Sequence, residues 1–390
     1  MTMVDTEQQL ASLLQAGAEP NNTKWAREWK KRGGKVIGLL CSYVPEEVIH
    51  AAGMLPYHIT GTLHGQPKES LLYWPSNVEQ YYAHALESLL TGGLDFLDGV
   101  VCTDSTDASR RCLDVWRHIG KTPYCYMLHV PYRRAEVVNQ EFAGEVASFR
   151  DSLQSHFSAR IADDALLASI RLHNRMRAEM AKVYDVRKLE TPPLSGAEFL
   201  GLTTAALVMP KETFLKELAE VFRYLAQRKT SLPVVTPRLM VSSDRLFHPG
   251  YLEAIESQGA LVAMDDLDTG SRYFEQLGDT DSDPIESLAR RYMGRPGTPR
   301  MEDWDRQIDR MIALAREYRI DGIINLPQEF DYPRHFASPY FRQRLQQEGI
   351  PVFMVSRDHI PAHIGPLRTR VGAFIEMIEA GDNKSFGGRA

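Results

Sequence analysis

Residues 35–56 read KVIGLLCSYVPEEVIHAAGMLP, and this stretch sets the plan of the chain. Val36–Leu40 is a continuous apolar run rather than an alternating one, the pattern of a strand buried on both faces. Pro45 suits the first helical position, and Glu46 and Glu47 suit the positive end of a helix dipole. Gly53 can end the helix. The stretch therefore predicts a strand, a turn, a helix Pro45–Ala52 and a second turn. Cys41, Ser42 and Tyr43 fall in the first turn, at the carboxyl end of the strand.

The same unit recurs outward from there. Short apolar runs at Gly99–Cys102, Tyr124–His129, Arg238–Ser242, Leu261–Met264, Gly322–Leu326 and Val352–Val355 read as further buried strands, with helix-length amphipathic stretches between them. Strands alternating with helices imply parallel sheets with right-handed crossovers. They fall in two groups, residues 35–135 and 235–360, separated by a helical stretch at 140–230 that breaks at Thr191-Pro192-Pro193. The expected fold is α/β, with two doubly wound, Rossmann-like parallel-sheet lobes joined by a helical segment. The expected divisions are 1–139 (a helical cap and first lobe), 140–234 (the connecting helices) and 235–390 (the second lobe, with helix Leu367–Glu379 packing back). In such sheets ligands sit beyond the carboxyl ends of the strands, so the cleft between the lobes is the expected site.

The 390 residues suffice for two cores, and 43% hydrophobic with 25% charged residues is ordinary for a globular protein. A formal net charge of −6 lacks the basic field that nucleic-acid phosphates require. No apolar run nears the ~20 residues needed to span a bilayer, and the acidic start does not resemble a signal peptide. The expectation is a cytoplasmic protein with neither a nucleic-acid nor a membrane partner. Its four cysteines, Cys41, Cys102, Cys112 and Cys125, then read as core thiols or metal ligands rather than as a disulfide framework.

Chemistry-bearing residues collect at the expected strand ends: Cys41-Ser42-Tyr43, Cys102-Thr103-Asp104-Ser105-Thr106-Asp107, Asp265–Tyr273 and Pro327–Pro333. Each has a plain alternative. A buried cysteine is usually a small hydrophobe, and aspartates cap turns and helices. The spacing C-x60-C-x9-C-x12-C matches no zinc or ferredoxin pattern, and there is no nucleophile elbow, phosphate loop or G-x-G-x-x-G fingerprint.

Residues 35–56 closely resemble the opening motif of the 2-hydroxyacyl-CoA dehydratase and benzoyl-CoA reductase family. Leu94–Val101, Asp107-Ala108-Ser109-Arg110-Arg111, Arg238–Ser242, Asp265–Phe274, Glu348-Gly349-Ile350-Pro351 and Arg368–Glu376 resemble its later blocks. The resemblance implies a subunit of an oxygen-sensitive enzyme acting on acyl-CoA or aryl-CoA thioesters in anaerobic metabolism. Such an enzyme would be a lyase that dehydrates or an oxidoreductase that reduces a ring. It further implies a homologous second subunit, a separate ATP-hydrolysing iron–sulfur activator, and a [4Fe–4S] cluster in this chain or in its partner. Clusters that reduce a thioester work near the low end of the range, about −700 mV, and a dry cleft protects the radical.

The chain departs from the family in its thiols. Cys41 matches a family cysteine, but other cysteine positions fall at Thr106 and near Glu79. None follows the Gly322–Leu326 strand, and Asp268 stands where some relatives carry cysteine. Three readings follow: a catalytic subunit whose altered cluster is held by Cys41 and Cys102, a cluster-poor partner subunit, or an acyl-CoA-binding protein without redox chemistry. Carried over from the motifs, Ser42 and Glu46 are the candidate catalytic residues. Tyr43, Ser271, Arg272, Tyr273 and Arg370 are candidate substrate contacts, the arginines because their forks suit CoA phosphates.

Overall fold

The computed structural model describes residues 3–18, 24–225, 237–297, 300–361 and 364–381. It contains two four-stranded sheets, all parallel. The first is built from β1 (Val36–Leu39), β2 (Leu55–His58), β3 (Gly99–Thr103) and β4 (Tyr124–Leu128), in the order β2-β1-β3-β4. The second uses β5 (Arg238–Ser243), β6 (Leu261–Leu267), β7 (Gly322–Asn325) and β8 (Val352–Met354), in the order β6-β5-β7-β8. The two orders are the same, so the halves repeat one topology that their sequences do not display.

All seven expected strands form. The eighth, β2, was not expected, because Pro56 interrupts a short run. It lies at the sheet edge, where a residue with no N–H can be accommodated, and there Pro56 sits opposite Ile37 of β1. The opening helix runs Glu46–Ala51, with Pro45 in extended backbone just before it rather than at its first turn, and Gly53 at φ +72° ends it. Strand β6 continues three residues past the expected Met264, so Asp265 and Asp266 lie within the strand rather than after it. Polar partners make that possible. Arg187 and the Tyr184 hydroxyl each reach Asp265 at 2.7 Å, and Ser242 and Arg310 reach Asp266 at 2.6 Å.

The connecting region is helical, as expected, with helices Glu136–Phe157, Asp163–Asp185, Gly196–Val208 and Lys211–Leu225. The first of these crosses the expected 139/140 division, and the 234/235 division lies outside the described residues. One apolar core contains side chains from the first sheet, these helices and the second sheet, among them Val100, Met180, Phe199, Met240 and Ile323. A second core joins the first sheet to Ile285, Leu288 and Tyr292 of helix Pro284–Gly294, which comes from the second half of the chain. The C-terminal helix, Ile364–Glu379, closes the second sheet, with Phe374 stacked on Phe353 at 5.5 Å.

Candidate functional site between the two sheets

In each sheet the chain turns one way from its first strand and the other way from its third. The crevice where ligands bind in such sheets therefore opens beyond β1 and β3 in one, and beyond β5 and β7 in the other. The structure sets these two crevices together. A narrow cavity between them is lined by Cys41, Tyr43, Ser105, Arg245, Asp268 and Arg300, with Val130–Tyr132 and Met301 at its edge. About 10 Å³ is open to the centre of a water molecule, room for roughly one water. Sequence places these groups here directly. Cys41 and Tyr43 leave β1, Ser105 leaves β3, Arg245 leaves β5 and Asp268 leaves β6, all at carboxyl ends.

The cavity is walled by buried ion pairs. Glu79 approaches Arg300 at 3.2 Å and Arg245 at 3.7 Å, and Arg245 lies over the rings of Tyr81 and Tyr82. Arg300 also meets Asp244 at 3.4 Å and Asp331 at 3.6 Å, while Asp244 receives Arg272 and Arg334 at 3.4 Å each. Asp244 and Asp331 share a proton. Arg334, Arg300 and Arg272 outweigh the burial of Asp244 and hold its carboxyl far below the ordinary range. Burial and the neighbouring Asp244 push Asp331 up to about 8, against the pull of Arg300.

Ser42 donates to Asp268 at 2.5 Å, and Arg295 donates to the Ser42 carbonyl at 2.8 Å and to its hydroxyl at 2.9 Å while pairing with Asp268. The loop after β1 is thus clamped to the loop after β6. Arg295 also lies over the Tyr43 ring at 4.6 Å. Burial pushes the Tyr43 hydroxyl up to about 12, and this hydroxyl finds no hydrogen-bond partner among the described residues.

Glu46 does not line the cavity. It is buried where three parts of the chain meet, with Lys211 at 2.8 Å, His58 at 3.0 Å and the Tyr273 hydroxyl donating at 3.1 Å. Burial alone would raise its pKa, but Lys211 and His58 overcome that and hold it well below the usual carboxylate range. Beside it, Glu47 accepts from Arg177 at 2.6 Å and from the Tyr292 hydroxyl at 2.8 Å. Both oxygens of each carboxylate are engaged, so Glu46 and Glu47 tie the helix after β1 to its neighbours.

Of the residues singled out in the sequence, Cys41 and Tyr43 line the cavity and Ser42 braces it. Ser271, Arg272 and Tyr273 do not reach an open surface. Ser271 bonds Asp265, Arg272 bonds the carbonyls of Ser243 and Gly297, and Tyr273 bonds Glu46. Arg370 is exposed on the C-terminal helix. Cys102 is fully buried in the lobe core, its thiol pushed up by burial and donating to the Ser109 carbonyl at 3.4 Å. Thr106 caps helix Asp107–Ile119 through a bond accepted from the Ser109 amide at 3.0 Å.

A [4Fe–4S] cluster takes three or four protein thiolates. The cavity supplies the Cys41 thiol alone, and among the described residues no three His, Cys, Asp or Glu are placed to hold a metal ion. The residues present do not fit that group. The residues missed in the sequence are Arg245, Arg295, Arg300, Lys211 and His58. Arg245 could have been found, since it follows the carboxyl end of a strand that was expected. Arg295 and Arg300 lie in a Gly- and Pro-rich strap, residues 294–301, that has no periodicity to read.

The family described as "2-hydroxyglutaryl-CoA dehydratase, D-component" matches residues 41–378. One of the benzoyl-CoA reductase subunits of Thauera aromatica is 26% identical over 370 residues, covering 91% of this chain and 94% of that protein. The beta subunit of (R)-2-hydroxyglutaryl-CoA dehydratase of Acidaminococcus fermentans is 26% identical over 360 residues, covering 90% and 94%. The beta subunit of lactoyl-CoA dehydratase of Anaerotignum propionicum is 24% identical over 376 residues, covering 95% and 98%.

Proposed function

We propose that this chain, which belongs to the 2-hydroxyglutaryl-CoA dehydratase D-component family, is the cluster-poor subunit of a multi-subunit enzyme acting on acyl-CoA thioesters. The enzyme is of the 2-hydroxyacyl-CoA dehydratase or benzoyl-CoA reductase type, as the names of its relatives indicate. Its homologous partner carries the [4Fe–4S] cluster, and a separate ATP-hydrolysing activator delivers the low-potential electron. The chain works in the cytoplasm, where thiols stay reduced.

The observation that carries this reading is the content of the interlobe cavity. At the meeting point of the two crevices stands one thiol, Cys41, opposite the Glu79–Arg300 ion pair. A redox subunit needs thiolates there, whereas a partner subunit needs a rigid scaffold. The buried ion pairs that tie the loops of both sheets together supply one. Breaking one partner of such a pair costs about 3–5 kcal/mol, so the lobes are held at a fixed spacing.

The test is to express the chain with its homologous partner without oxygen, isolate the complex, and then measure iron and sulfide in each separated subunit. Iron should follow the partner, and the present chain should be colourless. Roughly four irons per molecule in this chain alone would overturn the reading. As a second expected outcome, Cys41→Ala combined with Cys102→Ala should leave the activity of the assembled complex nearly unchanged.

A further inference from the structure

We propose that the interlobe cavity is a binding site for a compact monovalent anion, chloride- to formate-sized, held between Arg245, Arg300 and the Tyr43 hydroxyl. This goes beyond the acyl-CoA reading and does not depend on it.

Charge balance is the first argument. Arg245, Arg272, Arg300, Arg310 and Arg334 form one connected set of ion pairs with Glu79, Asp244, Asp266, Glu275 and Asp331. Arg357 joins the set through its bond to the Arg245 carbonyl and brings no carboxylate of its own. Six guanidiniums thus face five carboxyls. At the cavity itself, Arg245 pairs with Glu79, and Arg300 divides its charge among Glu79, Asp244 and Asp331. Asp268, the acid that lines the cavity, is paired with Arg295. Buried charge of one sign, left over in this way, is costly until a counter-charge joins it.

Hydrogen-bond supply is the second argument, and it is independent of the first. The Tyr43 hydroxyl, on a side chain 4% exposed and lining the cavity, lacks an acceptor among the described residues. The Nε of Arg300, on the same wall, lacks one too, as do the Nε atoms of Arg334 and Arg357 behind it. The Tyr43 O–H and the Arg300 Nε–H, both on residues of the cavity wall, are donors without acceptors among the described residues, and Arg245 adds a second guanidinium to that wall. An anion answers both the charge and the donors, whereas a water would answer only the donors. Size sets the class. Room for about one water admits a halide or the oxygens of a small carboxylate, and excludes sulfate, phosphate and a CoA headgroup.

The experiment uses the full-length chain. Crystals grown in sodium bromide should show an anomalous peak between Arg245, Arg300 and Tyr43. Thermal melts at fixed ionic strength should rise saturably with chloride, bromide or formate and not with sulfate. Tyr43→Phe removes the hydroxyl while keeping the ring under Arg295. It should fold normally and raise the half-saturating anion concentration about tenfold, the weight of one hydrogen bond to a charged group. Formate acting at several-fold lower concentration than chloride or bromide would identify a carboxylate end as the natural ligand class, and the halides acting equally with it would identify a free ion. Absence of the bromide peak, or an unchanged titration in Tyr43→Phe, would overturn the proposal.

Discussion

At the scale of single residues, the proton shared by Asp244 and Asp331 gives a pH dependence with a definite sign. The folded pKa of Asp331 is raised from the ordinary 3.8 to about 8. A raised carboxyl binds its proton more tightly folded than unfolded, so it favours the folded state in acid. That contribution is lost progressively as pH rises from about 4 to about 8. Asp331→Asn keeps a neutral partner beside Asp244 and removes the titration. Denaturant unfolding across that range should show native stability falling and the variant nearly flat, with the variant the more stable above pH 8. Asp244, held low by three arginines, cannot be substituted so cheaply, because its removal strands Arg272, Arg300 and Arg334 together.

At the scale of elements, two contacts decide how the pieces join. Lys211, 1% exposed at the start of helix Lys211–Leu225, neutralises Glu46 on the helix after β1. Lys211→Met should cost about 3–5 kcal/mol, since it leaves a buried carboxylate short of its main counter-charge. Adding Glu46→Gln should recover much of that loss, and urea melts of the two variants measure both. The second contact lies between helix Met3–Ala18 and helix Gly196–Val208. A Cβ on Gly17 would lie 2.0 Å from the Gly201 carbonyl oxygen, and backbone cannot move aside as a side chain can. Gly17→Ala should therefore peel the N-terminal helix away at a cost of about 1–3 kcal/mol. Faster proteolysis near the N-terminus, with the rest of the chain intact, would report it.

At the scale of the whole molecule, the lobes are not separable bodies. The largest apolar core draws on both sheets and on the connecting helices, and helix Pro284–Gly294 of the second half packs into the core of the first. Unfolding should accordingly be one cooperative step, with far-ultraviolet circular dichroism and tryptophan fluorescence giving coincident transitions. Two separated transitions would mean that the shared core does not couple the lobes. Among the described residues no helix is long and apolar enough to cross a membrane.

Seven of the eight strands, the helical bridge and the position of the site at strand ends were legible in the amino-acid order. Apolar runs and helix caps are local signals, and a strand end is where either one stops. Edge strand β2 was hidden by Pro56, whose meaning depends on which side of the sheet it occupies. Cys41 and Tyr43 were legible as cavity residues because they leave a buried strand directly. Arg300 and Glu79 were not, since they lie 221 positions apart and meet only in the folded chain. Sequence determined the elements, their order and the kinship of the chain. Only the folded structure decided which charges became neighbours, because burial in a low dielectric turns separated polar residues into one coupled set.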